Sequence, residues 1–328
     1  MKVIDIPEPE PRAGEVKLKI HYAGFCGSDL NTFRGGNAMA KPDVIPGHEI
    51  GATIEALGDG CPANLHVGQA VTVNPYTNCG TCSSCRNGRP NACKNNETLG
   101  VQRDGAMREQ FCLPWQKVIP VGDIPIRDAA LIEPMSVGFH AVSRAQVTDN
   151  DTVMVFGCGM VGLGAIIRSA KRGATVIAVD LSSEKLSLAA EAGATYCINS
   201  KEENLLEKVM EYTDGFGADV VIEAVGSPVT YVSAIDAVCF TGRVVCIGYS
   251  KNEVSFQTKY FVQKELDIRG SRNAMPEDFR AVIRCMQDGN LPVDRFISGI
   301  VGPEDAFEAM KNWAADPGKV FRILVNFE

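Results

Sequence analysis

From Asp151 onward the chain alternates short apolar runs with polar-faced stretches long enough for helices. The runs are TVMVF (152–156), TVIAV (175–179), TYCI (195–198), DVVIEAV (219–225), RVVCIG (243–248) and ELDIRG (265–270). Six β-branched-rich runs joined by crossover-length connectors predict a parallel, doubly wound α/β sheet. The first 140 residues are patterned differently. Pro and Gly are dense in PEPEPRAG, IPGHEIG and GDGCP, and helical periodicity is nearly absent before Arg127. That pattern predicts an irregular all-β module. After Gly270, two helix-like segments (276–288 and 303–315) precede an apolar terminal strand, VFRILVNF. These are expected to fold back onto the β module. The predicted division is therefore 1–142 with 272–328 as one domain, and 143–271 as the other.

Composition narrows the function classes. Of 328 residues, 45% are hydrophobic and 22% charged, ordinary globular values. Lys plus Arg is 32 against 40 for Asp plus Glu, a formal charge of -8, which argues against a nucleic-acid partner. No basic region followed by an apolar one opens the sequence, so a cytoplasmic setting is expected. The uncharged stretch 153–167 is glycine-rich and shorter than the roughly 20 apolar residues of a membrane span. Twelve cysteines in 328 residues are too few for a disulfide scaffold.

Chemistry enters with FGCGMVG. Gly157, Gly159 and Gly162 form G-x-G-x-x-G directly after a predicted strand, with Met160 and Val161 inside the turn. The glycines allow the tight turn, the approach of a pyrophosphate and close helix–strand packing, and the phosphates sit on a helix N-terminus. Asp180 follows 23 residues after Gly157, at the end of the next strand. A carboxylate there accepts ribose hydroxyls and repels a 2'-phosphate, favouring NAD over NADP, although Lys185 would tolerate a phosphate. Val225 and Ile247, at the ends of later apolar runs, and Arg272, just after the last, complete the cofactor candidates.

Cys79-x2-Cys82-x2-Cys85-x7-Cys93 lies on a loop with Gly80, Gly88 and Pro90. Four closely spaced thiolates can close a tetrahedral zinc site with no open position, hence a structural one; an Fe–S cluster uses similar spacing. A dispersed set comprises Cys26 in GFCGSDL, His48 and Glu49 in PGHEIG, and Glu133 in LIEPMS. Mixed Cys, His and carboxylate ligation is what a catalytic zinc with an open position needs.

The ordered series GFCGSD, PGHEIG, the four-cysteine lobe, LIEP and GCGMVG resembles the zinc-dependent medium-chain alcohol and polyol dehydrogenases over essentially the whole chain. LIEPMSVGFHA looks like the sorbitol dehydrogenase branch, and LGVQRDGAM with GSRNAMPEDF is similar to the hexonate 5-dehydrogenases. The resemblance implies a GroES-like β domain, a Rossmann domain, two zinc ions per chain and hydride transfer between substrate and NAD in the cleft between the domains. It also implies that Cys26, His48 and Glu133 ligate the catalytic zinc, directly or through water, with Glu49 a further or exchanging ligand. Asp29 then resembles the carboxylate that orients the metal histidine, and Ser28 the hydroxyl that takes the substrate proton. A bound divalent zinc lowers the pKa of water from about 15.7 to about 7, and a bound alcohol should shift likewise.

The sequence also departs from the family. The relay histidine of CGSDxH is replaced by Asn31, so the proton is expected to leave through Glu49 or water. The opening MKVIDIPEPEP looks late against the family's first strand pair, so a shortened N-terminus is expected. For a hexonate, Arg103 and Arg272 are the candidates to read the carboxylate; a neutral polyol is the alternative substrate. A zinc-free reductase or NAD-binding sensor would lack the dispersed ligands, which are present. The family commonly assembles as dimers or tetramers, and a homo-oligomer is the expectation here.

Overall fold

The computed structural model describes residues 1–37 and 39–328. They divide into two compact units, Met1–Pro134 with Met275–Glu328, and Met135–Ala274.

The first unit is built on β1 (Glu15–Gly24), β2 (Glu49–Leu57), β3 (Ala70–Val73), β4 (Gln110–Pro114) and β5 (Val118–Pro120). In the second unit follow β6 (Thr152–Phe156), β7 (Thr175–Asp180), β8 (Tyr196–Asn199), β9 (Ala218–Glu223), β10 (Val238–Cys246) and β11 (Asp267–Gly270); β12 (Gly299–Val301) and β13 (Ile323–Asn326) return to the first. β1 is long enough to serve several neighbours. It pairs antiparallel with β2 throughout, with β4 over Glu15–Lys19 and with β13 over Tyr22–Gly24. Register shifts after Lys17 and Ile20 mark bulges, which bend the strand and increase its twist. Val16, Leu18, Ile20, Ile50, Ala52, Ile54, Val71 and Val73 bury the inward faces of β1, β2 and β3 in one core. The C-terminal strand is thus part of the same sheet as the first strand: Tyr22 faces Asn326 and Gly24 faces Leu324.

In the second unit all strand pairs are parallel, in the order β11-β10-β9-β6-β7-β8. The expected doubly wound Rossmann sheet is present, with β6 and β9 adjacent at the switch point where ligands bind in such sheets. The helix Ile132–Ala145 begins in the first unit and runs into the second. Within the second unit it lies close against the helix Met160–Lys171: a Cβ added at Gly138 would stand 2.1 Å from the carbonyl oxygen of Val161. This packing carries Met135 onward into the Rossmann unit, where the sequence reading put the change at residue 142.

Candidate active site and metal centres

Two segments of the first unit meet in one donor set of Cys26, His48 and Glu49, and a third, carrying Glu133, lies beside it without joining that set. Cys26 caps the short helix Gly27–Phe33, accepting from the Ser28 N–H (3.5 Å) while Asp29 accepts from the Cys26 N–H (2.8 Å). His48 and Glu49 lie at the start of β2, and Glu133 in the first turn of the helix Ile132–Ala145. Ligand atoms of Cys26, His48 and Glu49 lie within 4.8 Å of one another. Glu133 is near enough for its charge to act on His48 and Glu49. Asp29 serves the cap of Cys26, and His48 Nδ1 makes no hydrogen bond.

This set is almost wholly buried: Glu49 is 0% exposed, Glu133 4% and His48 5%. Burial pushes the Glu49 carboxyl up to about 7, against the neighbouring Arg322 guanidinium, whose Nε lies 3.1 Å from Oε2. Burial also disfavours a charged His48, yet Cys26, Asp29 and Glu133 together drive its pKa well upward. Acidic groups packed in a buried site beside a histidine nitrogen and a Ser28 Oγ that lack hydrogen bonds form a donor set suited to a cation.

Two residues were missed in the sequence. Arg322 lies 4% exposed just before β13, paired with Glu49 and donating to the Phe25 carbonyl. Tyr76, 5% exposed, donates its phenol to Glu133 Oε1. An arginine inside the apolar run VFRILVNF was the available signal for the first, since a buried charge needs a partner. Nothing in NPYTNCG singles out the second.

The four-cysteine lobe fits a metal by geometry. Sγ–Sγ separations are 3.5 Å (Cys82–Cys85), 3.8 Å (Cys82–Cys93) and 3.6 Å (Cys79–Cys93). A tetrahedron with Zn–S bonds of about 2.3 Å has edges of about 3.8 Å, whereas a disulfide needs about 2.05 Å. The Ser84 hydroxyl and the N–H groups of Cys85 and Lys94 bring Cys82 down to about 5, and Thr81 brings Cys79 to about 7, so thiolates are favoured. Burial pushes Cys85 up to about 11.

In the second unit Gly157 turns the chain at φ +87°, and a Cβ at Gly162 would stand 1.7 Å from the Gly157 carbonyl oxygen. Gly159 faces open space at the N-cap of the helix Met160–Lys171, with no side chain capping the helix N–H groups. That opening fits a pyrophosphate. Asp180, at the end of β7, accepts from Cys158 N–H (2.7 Å), Leu181 N–H (2.8 Å) and Ser182 N–H (3.0 Å), which fixes its carboxylate beside the glycine turn. Val225 lies over Gly157, Ile247 N–H bonds the Glu223 carbonyl at 2.8 Å, and Lys185 sits in the first turn of the helix Ser183–Glu191.

The candidate substrate cations fall in different units. Arg272 follows β11 in the second. Arg103 lies in the first, on a loop whose Gly105, Ala106 and Met107 N–H groups bond the carbonyls of Ile45, Gly47 and Pro46, the turn that leads into His48. Arg103 is half-buried, and its Nε has no hydrogen-bond partner.

Two family models match the chain: an alcohol dehydrogenase GroES-like domain over residues 12–123 and a zinc-binding dehydrogenase over 161–288. The sorbitol dehydrogenase of Halalkalibacterium halodurans is 35% identical over 328 residues, covering 97% of this chain and 93% of that protein. The chain belongs to the zinc-type medium-chain alcohol and polyol dehydrogenase family. The L-galactonate-5-dehydrogenase of Escherichia coli is 33% identical over 290 residues, 88% of this chain and 85% of its own. A crystal structure of an alcohol dehydrogenase from Escherichia coli CFT073 with NADH superposes with a TM-score of 0.91 at 30% identity, covering 99% and 96% of the two chains. The GroES-like and Rossmann architectures expected from the sequence are those of this family, and the protein is an oxidoreductase acting with zinc and a nicotinamide cofactor. Among the described residues no helix is long and apolar enough to cross a membrane.

Proposed function

We propose that this dehydrogenase oxidises a secondary alcohol of a sugar acid, a hexonate such as L-galactonate or L-gulonate at C5, to the ketone, with NAD as acceptor. The observation that carries the acid reading is Arg103: a half-buried guanidinium with an unpartnered Nε, on the loop bonded to the turn before His48. An anionic carboxylate is the natural complement of such a group. The likeness to an L-galactonate-5-dehydrogenase supports the same reading.

Cys26, His48 and Glu133 would hold the catalytic zinc, with Glu49 as the further ligand, and Cys79, Cys82, Cys85 and Cys93 the structural one. When bound, zinc makes the substrate hydroxyl acidic near neutral pH, and NAD accepts the hydride. Ser28 Oγ, buried and without a partner, would take the hydroxyl proton. Asn31, one turn along the same helix, cannot titrate, so the proton would leave through Glu49 or water. Arg322 offsets the charge of Glu49. Asp180, held by three N–H groups, would accept the adenosine ribose hydroxyls and favour NAD over NADP. Thiolate ligation by the four-cysteine lobe suits a reducing cytoplasm, and the edge strand β11 offers a surface for a homo-oligomer.

A polyol substrate is the second reading, favoured by the sorbitol dehydrogenase relative. The test is NAD reduction by zinc-replete enzyme with L-galactonate, L-gulonate, sorbitol, xylitol and galactitol, repeated with Arg103→Ala and Arg272→Ala. A KM increase selective for the acids supports the hexonate. An equal increase for sorbitol and L-galactonate removes it.

A further inference from the structure

Glu133 differs from Cys26 and His48 in one physical respect. A glutamate carries its carboxylate on a flexible stem, and a carboxylate that ligates a metal needs a fixed hydrogen-bond donor to hold one oxygen pattern. The structure supplies such a donor from a separate segment of chain. We propose that Tyr76 is the positioning residue of the catalytic centre, its phenol donating to Glu133 Oε1 and so holding that carboxylate beside the Cys26, His48 and Glu49 donor set, from where it reaches a metal bound there. The proposal rests on Glu133 being a zinc ligand.

Tyr76 is itself held on several sides. Its N–H donates to the Asn74 side chain (3.1 Å), and the Asn74 N–H donates to the Lys117 carbonyl (2.8 Å). Tyr76 pairs with Thr98 across an isolated antiparallel bridge, and the Leu99 N–H donates to the Pro75 carbonyl (3.1 Å). The segment between β3 and the cysteine lobe is therefore tied to the chain at Lys117 and at Thr98–Leu99, and the ring has little freedom to follow Glu133 elsewhere. The phenol is the donor and the carboxylate the acceptor of this bond.

The two buried carboxylates are consequently tethered differently. Glu49 lies against a guanidinium, which pairs with its charge, and Glu133 accepts a hydrogen bond from a neutral phenol.

The test uses full-length holoenzyme and the variants Tyr76→Phe and Glu133→Gln. Tyr76→Phe removes one oxygen and leaves the ring packing in place. It should leave the melting curve and the structural zinc unchanged while weakening retention of the catalytic zinc about 10- to 100-fold against a chelator. The visible spectrum of the cobalt-substituted catalytic site should shift, and kcat should fall with little change in the KM for NAD. Because Tyr76 acts through Glu133, Tyr76→Phe in a Glu133→Gln background should have little further effect. If Glu133→Gln weakens zinc but Tyr76→Phe leaves both zinc retention and the cobalt spectrum at wild-type values, Tyr76 is a packing residue and the proposal is wrong. If Glu133→Gln itself leaves catalytic zinc untouched, the ligand reading fails, and this proposal with it.

Discussion

Replacing Cys93 by serine should empty one zinc site and unfold one lobe, leaving the rest of the protein intact. The lobe has almost no core of its own: across residues 77–98 only Asn91 and Cys93 are buried. Burying one thiol side chain contributes on the order of 1 kcal/mol, while ordering each residue costs about 1–2 kcal/mol. A structural zinc in a small peptide contributes about 10–16 kcal/mol near neutral pH. The metal therefore dominates by roughly tenfold over the apolar burial available. The stem is separately closed by the Glu97 N–H to Thr77 Oγ1 bond (2.6 Å) and the Tyr76–Thr98 bridge, which should confine the opening to residues 79–96. Zinc should fall from two to one per chain, and hydrogen exchange at 79–96 should accelerate while amides of β1 and β2 stay protected. The same lobe should lose zinc in acid. Its ligands must be thiolates, so protons compete with zinc for the four sulfurs and retention declines as pH falls. Slow exchange at 79–96 in zinc-free Cys93→Ser would refute the reasoning, because some other interaction would then be holding the lobe.

Other outcomes follow from single contacts. Gly162→Ala forces a Cβ to 1.7 Å from the Gly157 oxygen and should abolish NADH binding in a fluorescence titration; micromolar binding by a folded variant would contradict this. Asp180→Ala should lower kcat/KM for NAD about 10- to 100-fold, the loss of charged hydrogen bonds worth about 1.5–3 kcal/mol, and raise the NADP/NAD ratio. An unchanged ratio would remove Asp180 from cofactor choice. Arg243 donates to the Ala145 carbonyl (3.0 Å) and pairs with Asp151, whose side chain is 9% exposed. Arg243→Met leaves that carboxylate without its cation, held only by the N–H and hydroxyl of Thr148, and should cost about 3 kcal/mol, lowering the melting point by about 6–12 °C in calorimetry.

Both folds were legible because each rests on a local period: β-branched runs at crossover spacing for the parallel sheet, Pro- and Gly-broken short strands for the β module. The glycine turn and the four cysteines were legible for a related reason, since each is a contiguous motif whose geometry is set within a few bonds. Cys26, His48 and Glu133, by contrast, stood out through resemblance to a family, because nothing in their spacing along the chain says that they meet. Tertiary structure decides that meeting. Pairing of β1 with β2 brings Gly24 opposite Glu49, placing Cys26 near His48, and β13 returns beside β1 to bring Arg322 against Glu49. Tyr76 reaches Glu133 from 57 residues away, a contact no sequence period encodes. Side chains that act through burial and long-range pairing are visible only after the chain has closed, because the desolvation that gives them their chemistry is created by the packing itself.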